Sequence, residues 1–125
     1  FTATTGDTFK IALYTSSATL GASTTAYSTS NEITNSSGTA YTAAGATLTS
    51  VTPTSSGTTA LCDFADVSYT SASFTANGAL IYNDTESGDP AVCAIAFGAD
   101  KTVTSGTFTI QFPTADATNA IIRLA

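Results

Sequence analysis

The sequence predicts an all-β domain, built as a β-sandwich or jelly roll of short antiparallel strands with little or no helix. Three observations favour this fold class. Apolar residues alternate with polar or small ones in short windows, residues that suit a pleated surface are abundant, and turn residues separate the windows. No stretch shows the i, i+3, i+4, i+7 spacing of an amphipathic helix. A closed barrel is the second architecture that this pattern allows.

Alternation of apolar residues places the predicted strands along the chain. The clearest window ends with Phe108, Ile110 and Phe112, which alternate with hydroxyl and amide side chains. Such alternation is typical of a strand with one buried face. The predicted strands cover residues 9–14, 60–65, 79–82, 91–97, 107–112 and 119–125.

Clusters of Gly, Pro, Asn, Asp and Ser predict the turns between these strands. Asn77-Gly78 is the strongest of these signals, because this dipeptide favours the two-residue turn of a β-hairpin. The predicted turns lie at residues 35–38, 53–57, 77–78, 87–90, 98–101 and 113–116.

A chain of 125 residues predicts a single domain. We expect residues 1–7 to form an N-terminal tail or arm and residues 8–125 to form the domain. Residues 15–45 carry few apolar side chains among Ser, Thr, Gly and Asn, so they predict a long loop with one or two short strands. Loops of this length are usually functional or ordered by a partner, which makes this segment and the tail candidate docking arms.

Composition excludes several classes of function. The chain has no His, so a Ser–His–Asp triad, an imidazole base and the usual zinc site are all excluded. Three cations against nine carboxylates give a net charge of −6, which leaves no basic surface for nucleic acid. The apolar runs are shorter than the roughly 20 residues of a membrane helix. We therefore expect no nucleic-acid partner, no membrane partner and no cofactor.

The two cysteines lie on separate predicted strands. Cys62 and Cys93 each share a face with larger apolar neighbours, so buried free thiols are the simplest interpretation. A disulfide between facing strands is the alternative if the chain occupies an oxidising compartment. A redox motif is absent because the spacing is not C-x-x-C.

Carboxylates are the remaining groups with catalytic or metal-binding potential. Asp84, Glu86 and Asp89 form a cluster of hard oxygen donors that fits either a weak Ca²⁺ site or a solvated hairpin tip. Asp63 and Asp66 fit either a glycosidase pair or a water-facing strand residue followed by a turn. Because a paired-carboxylate site needs a deep cleft, we expect no enzyme activity.

The five tyrosines allow two interpretations. They can form a sugar-stacking platform, as in carbohydrate-binding modules, or complete a core while keeping their hydroxyls hydrated. The sequence contains no Trp, the usual stacking residue. The tyrosines are Tyr14, Tyr27, Tyr41, Tyr69 and Tyr82.

A hydroxyl-rich, charge-poor surface suits permanent packing against other protein. Thr, Ser and Ala fill 64 of 125 positions, whereas charged residues make up only 10%. Composition therefore favours an assembly subunit that forms homo-oligomers. The interface candidates are Phe1, Thr2, Thr4, Tyr14, Tyr27, Ile33, Tyr41 and Ile121.

Several blocks of the chain resemble a family of small virion structural proteins of tailed bacteriophages. The resemblance spans residues 8–125. It is carried by Thr8-Phe-Lys-Ile-Ala-Leu-Tyr-Thr-Ser-Ser-Ala-Thr-Leu20, Gly38-Thr-Ala-Tyr-Thr-Ala-Ala-Gly-Ala-Thr-Leu-Thr49, Gly57-Thr-Thr-Ala-Leu-Cys-Asp-Phe-Ala-Asp66, Gly78-Ala-Leu-Ile-Tyr-Asn83, Asp100-Lys-Thr-Val-Thr-Ser-Gly-Thr-Phe-Thr-Ile-Gln-Phe-Pro-Thr-Ala-Asp116 and Ala120-Ile-Ile-Arg-Leu124.

This resemblance implies a function that composition alone does not supply. It implies a non-enzymatic β-sandwich or jelly-roll protein of the virion, most simply a capsid decoration (cement) protein. Its expected partner is the major capsid protein, and its expected location is the capsid exterior after assembly in the bacterial host cytoplasm. The alternative is a tail or fibre module that binds the host surface or a glycan. No catalytic residues are implied.

Overall fold

Strands make up all the regular secondary structure of the described chain. The computed structural model describes residues 1–34 and 38–125, so residues 35–37 of the turn predicted at 35–38 lie outside the described ranges. No helix forms within those ranges, which confirms the all-β prediction. The strands are β1 (Phe9–Tyr14), β2 (Ala46–Thr47), β3 (Ser50–Ser56), β4 (Thr59–Phe64), β5 (Val67–Asn83), β6 (Ala91–Ile110) and β7 (Ile122–Leu124).

The strands form two antiparallel sheets. The four-stranded sheet has the order β2-β1-β5-β6, and the three-stranded sheet has the order β3-β4-β7. All of the strand pairs within these sheets are antiparallel. The sandwich or jelly-roll arrangement of the two sheets stays a prediction.

The length of the strands differs from the prediction at one hairpin. Strands β1 and β4 occupy the predicted windows, but β5 has 17 residues and β6 has 20. The windows at 91–97 and 107–112, predicted as separate strands, both belong to β6. The prediction of uniformly short strands is therefore wrong for this hairpin, because pairing continues through positions that a local pattern assigns to turns.

The predicted hairpin turn at Asn77-Gly78 is wrong. Both residues lie inside β5, where Gly78 pairs with Tyr14 of β1 on one side and Ala96 of β6 on the other. A β carbon at Gly78 would come within 2.9 Å of the Ile95 carbonyl oxygen. The glycine therefore allows close approach of strands rather than chain reversal. The reversal occurs between β5 and β6, in a loop that includes the predicted turn at 87–90.

Two other predicted turns are largely strand. Residues 98–100 lie in a bulge of β6 and Lys101 pairs with Ala76, since the register shifts between Ala76↔Lys101 and Gly78↔Ala96. The segment predicted as a turn at 53–57 lies mostly in β3, which has an irregularity between Val51 and Thr54 that accommodates Pro53. Pairing with a neighbouring strand thus converts turn-forming residues into bulges.

Strand β1 contributes to two apolar clusters because both of its faces are buried. Phe9, Ile11 and Leu13 belong to the main core, which also contains Phe64 of the three-stranded sheet. The opposite face carries Ala12 and Tyr14, which form a second cluster with Leu80 and Tyr82 of β5. A strand buried on both faces needs cover from outside its own sheet.

Residues 15–34 and 38–45, which we call the wrapping segment, provide that cover. Its side chains Ala18, Leu20 and Tyr27 pack on the second cluster, whereas Ile33 and Tyr41 belong to the main core. Backbone hydrogen bonds attach it to the sheet, including one from Ile33 N–H to the Leu13 carbonyl at 2.9 Å. The predicted loop is therefore held by this chain's own sheet.

The predicted N-terminal tail also packs on the domain. The ring of Phe1 stacks on Phe9 with centroids 4.5 Å apart. The Gly6 N–H donates to the Thr2 carbonyl at 3.0 Å, and Asn83 Nδ2 donates to Asp7 Oδ2 at 2.7 Å. Residues 1–7 thus form a turn against the domain in place of a free arm.

Candidate functional site

An apolar groove of about 670 Å³ runs along β6 and opens to solvent. We call it the β6 groove. Its lining side chains on β6 and just beyond are partly buried, and they pack against the main core. Apolar side chains that pack against the main core are therefore partly exposed to solvent along the groove. These side chains are Cys93, Ile95, Phe97, Phe108, Ile110 and Phe112.

The shape of the groove comes from bulges in β6. Phe97 and Phe108 are 11 positions apart, which is about 36 Å of extended strand, yet their ring centroids lie 6.3 Å apart. The strand bends between them, where Gly98 and Ser105 have positive φ angles of 80° and 45°. This bend brings the apolar faces of two windows of alternation into one concave surface.

The groove carries little charge. Among the described residues, Lys101 is the one charged side chain that lines it, and no carboxylate does. Burial raises the pKa of the Cys93 thiol, so this sulfur stays protonated and is a poor nucleophile. The groove therefore has the chemistry of a contact surface for apolar groups.

Each sheet ends beside this surface. Strand β6 is the last strand of the four-stranded sheet and β7 is the last of the three-stranded sheet, so each has one neighbouring strand among the described residues. Ile121, which precedes β7, lines the groove together with Pro113. An edge strand leaves a row of backbone donors and acceptors that can pair with another chain.

The predicted interface residues divide into exposed and buried groups. Ile121 is partly exposed and lies in the β6 groove. Phe1, Thr2 and Thr4 are exposed near the N-terminal turn, away from the groove lining. These four positions remain available for contact with a partner.

The other predicted interface residues are inside the molecule. Tyr14 and Tyr41 are each 1% exposed and Ile33 is 6% exposed, while Tyr27 is half-buried with its ring stacked on Tyr82. The prediction that the first three offer surface to a partner is wrong, because the wrapping segment folds onto its own sheet. Tyr69 and Tyr82 are also buried, so these tyrosines form no exposed sugar-stacking platform.

Hydrogen bonds from tyrosine hydroxyls hold the wrapping segment. Tyr14 donates to the Ser28 carbonyl at 2.7 Å, and Tyr82 donates to the Ala44 carbonyl at 2.6 Å. Burial raises the pKa of Tyr14 to about 12, so its hydroxyl remains a donor at neutral pH. The tyrosines therefore combine core packing with attachment of the segment.

Glu32 cross-links the wrapping segment internally, and the sequence did not single it out. Its carboxylate accepts hydrogen bonds from the hydroxyls of Tyr27 and Tyr41, at 2.6 and 2.5 Å, and from Ala44 N–H at 2.8 Å. The side chain is buried. Burial and the bond to Glu32 raise the pKa of Tyr41. The only available signal was a lone carboxylate in a segment without other charges, which does not predict its partners.

Asp63 is buried, so the expectation that it faces water is wrong. It is 2% exposed, its Oδ1 accepts from Phe64 N–H at 2.8 Å, and its Oδ2 has no hydrogen-bond partner among the described residues. Burial raises the pKa of this carboxyl, and Asp66 and Asp116 raise it further. Asp66 lies between β4 and β5 and accepts a hydrogen bond from Phe112 N–H at 2.8 Å.

The acidic loop between β5 and β6 forms no metal site in the described chain. No group of three or more acidic, Cys or His side chains there is arranged to hold an ion. Asp84 forms an ion pair with Lys10 at 3.0 Å, and the loop is largely exposed. The hairpin-tip interpretation therefore fits these residues better than the calcium interpretation.

Both cysteines are free and half-buried. Cys62 lies on β4 and Cys93 on β6, so they belong to different sheets. The sequence predicted fuller burial of these thiols. Cys93 is less covered because it lines the open groove.

Comparisons with known proteins add no family. The described part of the chain contains no helix with the length and apolar character needed to cross a membrane. No family model, no curated protein and no solved structure matches the chain.

Proposed function

We propose that this chain is a non-enzymatic structural subunit of a phage virion, and more narrowly a capsid decoration protein that bridges neighbouring capsomers. The β6 groove is the observation that carries this proposal. Apolar side chains that are gathered in one open groove are suited to contact with another protein. The resemblance of residues 8–125 to phage virion proteins is the reason that we propose a virion as the assembly.

The rest of the surface supports a permanent assembly. Strand β3 is exposed along nearly its whole length and carries Ser, Thr, Val and Pro without a charged residue. Charges normally keep a monomer soluble, and this chain has few of them. Hydroxyl-rich strands can instead form many neutral hydrogen bonds across a seam.

Multivalency makes weak contacts sufficient for this role. Many copies bind one closed shell, so each contact needs to contribute only a few kcal/mol. Subunits on the capsid exterior that join adjacent capsomers would resist outward pressure from packaged DNA. The major capsid protein is the partner that this role requires.

The burial of the tyrosines weighs against the rival function, a tail or fibre module that binds a glycan. Aromatic stacking on sugars needs exposed rings, whereas Tyr14, Tyr41 and Tyr82 are each 1% exposed. A location in the tail is the outcome that a low copy number per virion would indicate.

The number of copies per virion tests the proposal. Quantitative mass spectrometry of purified particles measures this chain relative to the major capsid protein. We expect a simple ratio to the shell protein, because decoration sites repeat with the capsid lattice. A ratio typical of tail components would contradict decoration and favour the tail, and absence from virions would reject a virion function.

A further inference from the structure

We propose that the Asp89–Pro90 peptide bond is a self-processing site, at which the folded chain cleaves its own backbone through the Asp89 carboxyl. The bond lies in the loop between β5 and β6, and it is the one Asp–Pro bond of the sequence. The inference goes beyond the proposed function, because neither a virion nor the β6 groove takes part in the reaction.

This residue pair supplies both reacting groups. An aspartyl carboxyl can reach the carbonyl carbon of its own residue, and the product of that attack is a five-membered ring. The proline nitrogen belongs to a tertiary amide, and once protonated it leaves as a secondary amine. Pro53 follows a threonine and Pro113 follows a phenylalanine, so those two bonds lack the carboxyl nucleophile.

The backbone at Asp89 is strained. Its φ angle is 48°, whereas a residue that precedes proline prefers a φ of about −120°. Gly88 also has a positive φ, of 87°, so two left-handed residues lead into the bond. Cleavage removes the constraint that the proline ring places on Asp89, so breaking the bond relieves this strain.

Hydrogen bonds from the wrapping segment hold the bond on both sides. Tyr27 N–H donates to the Asp89 carbonyl at 3.0 Å, and Ala91 N–H donates to the Thr25 carbonyl at 2.9 Å. The first of these places a donor on the oxygen that gains negative charge when the carbonyl carbon is attacked. The fold therefore supplies an oxyanion donor that the same dipeptide lacks in an unfolded chain.

The Asp89 carboxyl is available for this attack. Its side chain is half-buried and the adjacent Pro90 is exposed, so water reaches the bond. No ion pair among the described residues engages this carboxyl, in contrast to Asp84 of the same loop, which pairs with Lys10. A salt bridge therefore does not oppose rotation of the Asp89 side chain toward its own carbonyl carbon.

The reaction needs only the chain and one water molecule. An Oδ atom of the protonated Asp89 carboxyl forms a bond to the Asp89 carbonyl carbon, and the C–N bond to Pro90 breaks with its electron pair left on nitrogen. The carboxyl proton passes to that nitrogen, so the products are a cyclic anhydride at Asp89 and the secondary amine of Pro90. Water then opens the anhydride and leaves two carboxyls on Asp89.

Cleavage separates the chain into residues 1–89, which carry β1 to β5, and residues 90–125, which carry β6 and β7. Pairing of β6 with β5 and of β7 with β4 keeps the second piece in the fold. Every described lining residue of the β6 groove lies after Pro90, so the groove stays whole on that piece. The processed protein is therefore a nicked form that keeps its two sheets.

Incubation of the purified full chain tests the proposal. Denaturing mass spectrometry detects the products 1–89 and 90–125, whose masses sum to the intact mass plus one water. The pH is varied from 7 to 5, above the pI of about 4.1, so the chain keeps a negative charge. We expect the rate to rise about tenfold per unit fall in pH, because the protonated fraction of the carboxyl grows by that factor. Dilution should not change the rate, because the step is intramolecular.

The same chain in concentrated guanidinium chloride measures what the fold contributes. The denatured chain lacks both the Tyr27 donor and the strained φ angle. Cleavage there should therefore be about tenfold slower than in the folded chain at the same pH. Circular dichroism establishes that the first sample is folded and the second is not.

Matched substitutions identify the nucleophile and the leaving group. Asp89→Ser removes the carboxyl and should abolish cleavage. Pro90→Ala replaces the tertiary amide with an ordinary one and should slow cleavage about tenfold. Glu86→Gln removes an exposed carboxyl from the same loop and should leave the rate unchanged.

Three results would overturn the proposal. A folded chain that stays intact over weeks at pH 5 would reject self-processing. Equal rates in the folded and denatured chains would assign cleavage to the dipeptide alone, and cleavage that persists in Asp89→Ser would assign it to a contaminating protease. The comparison of folded with denatured chain needs no substitution, so it decides even if a variant fails to fold.

Discussion

The wrapping segment and the β6 groove differ in whether the apolar side chains of the four-stranded sheet are covered or partly exposed. Residues 15–34 and 38–45 contain mostly Ser, Thr, Gly and Ala, yet they cover the second cluster, and tyrosine hydroxyls of the sheet donate to their carbonyls. Residues 91–112 contain more large apolar side chains, yet these remain partly exposed. Hydrophobicity alone therefore does not decide which region is buried.

The difference lies in what each region has as a partner. The aromatic residues around the wrapping segment are tyrosines whose hydroxyls bond to Glu32 or to backbone carbonyls. The aromatic residues of the groove are phenylalanines, which offer no polar group for such attachment. Tyrosine can both fill space and specify a partner, whereas phenylalanine only fills space.

Glu32→Ala tests the wrapping segment most severely. The substitution removes the acceptor for Tyr27, Tyr41 and Ala44 N–H, so three part-buried or buried donors lose their partner. We expect the free energy of unfolding to fall by about 4 kcal/mol, since each unsatisfied buried donor costs about 1–3 kcal/mol. Urea denaturation followed by tyrosine fluorescence measures it.

The matched control is Glu86→Ala, which removes an exposed carboxylate from the β5–β6 loop. It should change the free energy of unfolding by less than about 0.5 kcal/mol. If Glu32→Ala were equally mild, the attachment of the wrapping segment would not depend on this carboxylate.

Tyr41→Phe separates hydroxyl bonding from ring packing. The hydroxyl donates to Glu32 and accepts from Leu13 N–H at 3.0 Å, so a single oxygen serves two buried groups. We expect a loss of about 2 kcal/mol in the free energy of unfolding. Tyr82→Phe, which removes one part-buried bond to the Ala44 carbonyl, should cost about 1 kcal/mol in the same assay. Losses near zero in both variants would indicate that only ring packing matters.

Asp63→Asn sharpens the comparison between the two buried carboxylates. Glu32 has three donors, whereas Asp63 has one donor and an unpartnered Oδ2. Burial raises the pKa of Asp63, so its charge destabilises the folded state at neutral pH. The variant should therefore be more stable than the wild type at pH 7, by about 1 kcal/mol.

The difference in the free energy of unfolding between Asp63→Asn and the wild type should depend on pH. As pH falls from 7 through the raised pKa of folded Asp63, the folded wild type takes up a proton and its penalty is relieved. The advantage of the variant should shrink accordingly and disappear near pH 4, where the unfolded carboxyl also protonates, at about 3.9. A difference between the two proteins that grows on acidification would contradict the burial of this charge.

Ile110→Ser should have a small effect on the stability of the folded monomer. The side chain is partly exposed in the groove, so its truncation should lower the free energy of unfolding by about 1 kcal/mol in dilute solution. The same substitution at Ile81, which is 0% exposed, should cost about 4 kcal/mol. Comparable losses at both positions would mean that the groove belongs to the monomer core.

Local pattern predicted some parts of this structure well. Alternation of side chains located β1 and β4, and the turn residues at 87–90 lie in the loop between β5 and β6. At these places the pairing with neighbouring strands is consistent with the local alternation of side chains. Pattern failed at Asn77-Gly78 and at residues 98–101, because pairing of β5 with β6 continues through them as close contact and bulge.

The candidate site was predicted only in part. Ile121 was identified as an exposed apolar alternate and does line the groove. Ile33 and Tyr41 are interface candidates in the sequence because the segment around them lacks regular patterning, and Tyr14 is one because it alternates with the apolar face of its strand. Their burial depends on hydrogen bonds between residues far apart in sequence, which alternation does not report.

By itself, the sequence determined the fold class, the acidic and charge-poor surface, and the absence of imidazole chemistry, since these follow from residue types and local periodicity. Tertiary structure decided which apolar faces are covered. The wrapping segment covers one face because Tyr14 and Tyr82 of that face donate hydrogen bonds to its backbone carbonyls. The β6 groove stays open because bulges bring two distant windows together and no described segment lies over them. Both outcomes depend on contacts across the fold, which no local window of residues specifies.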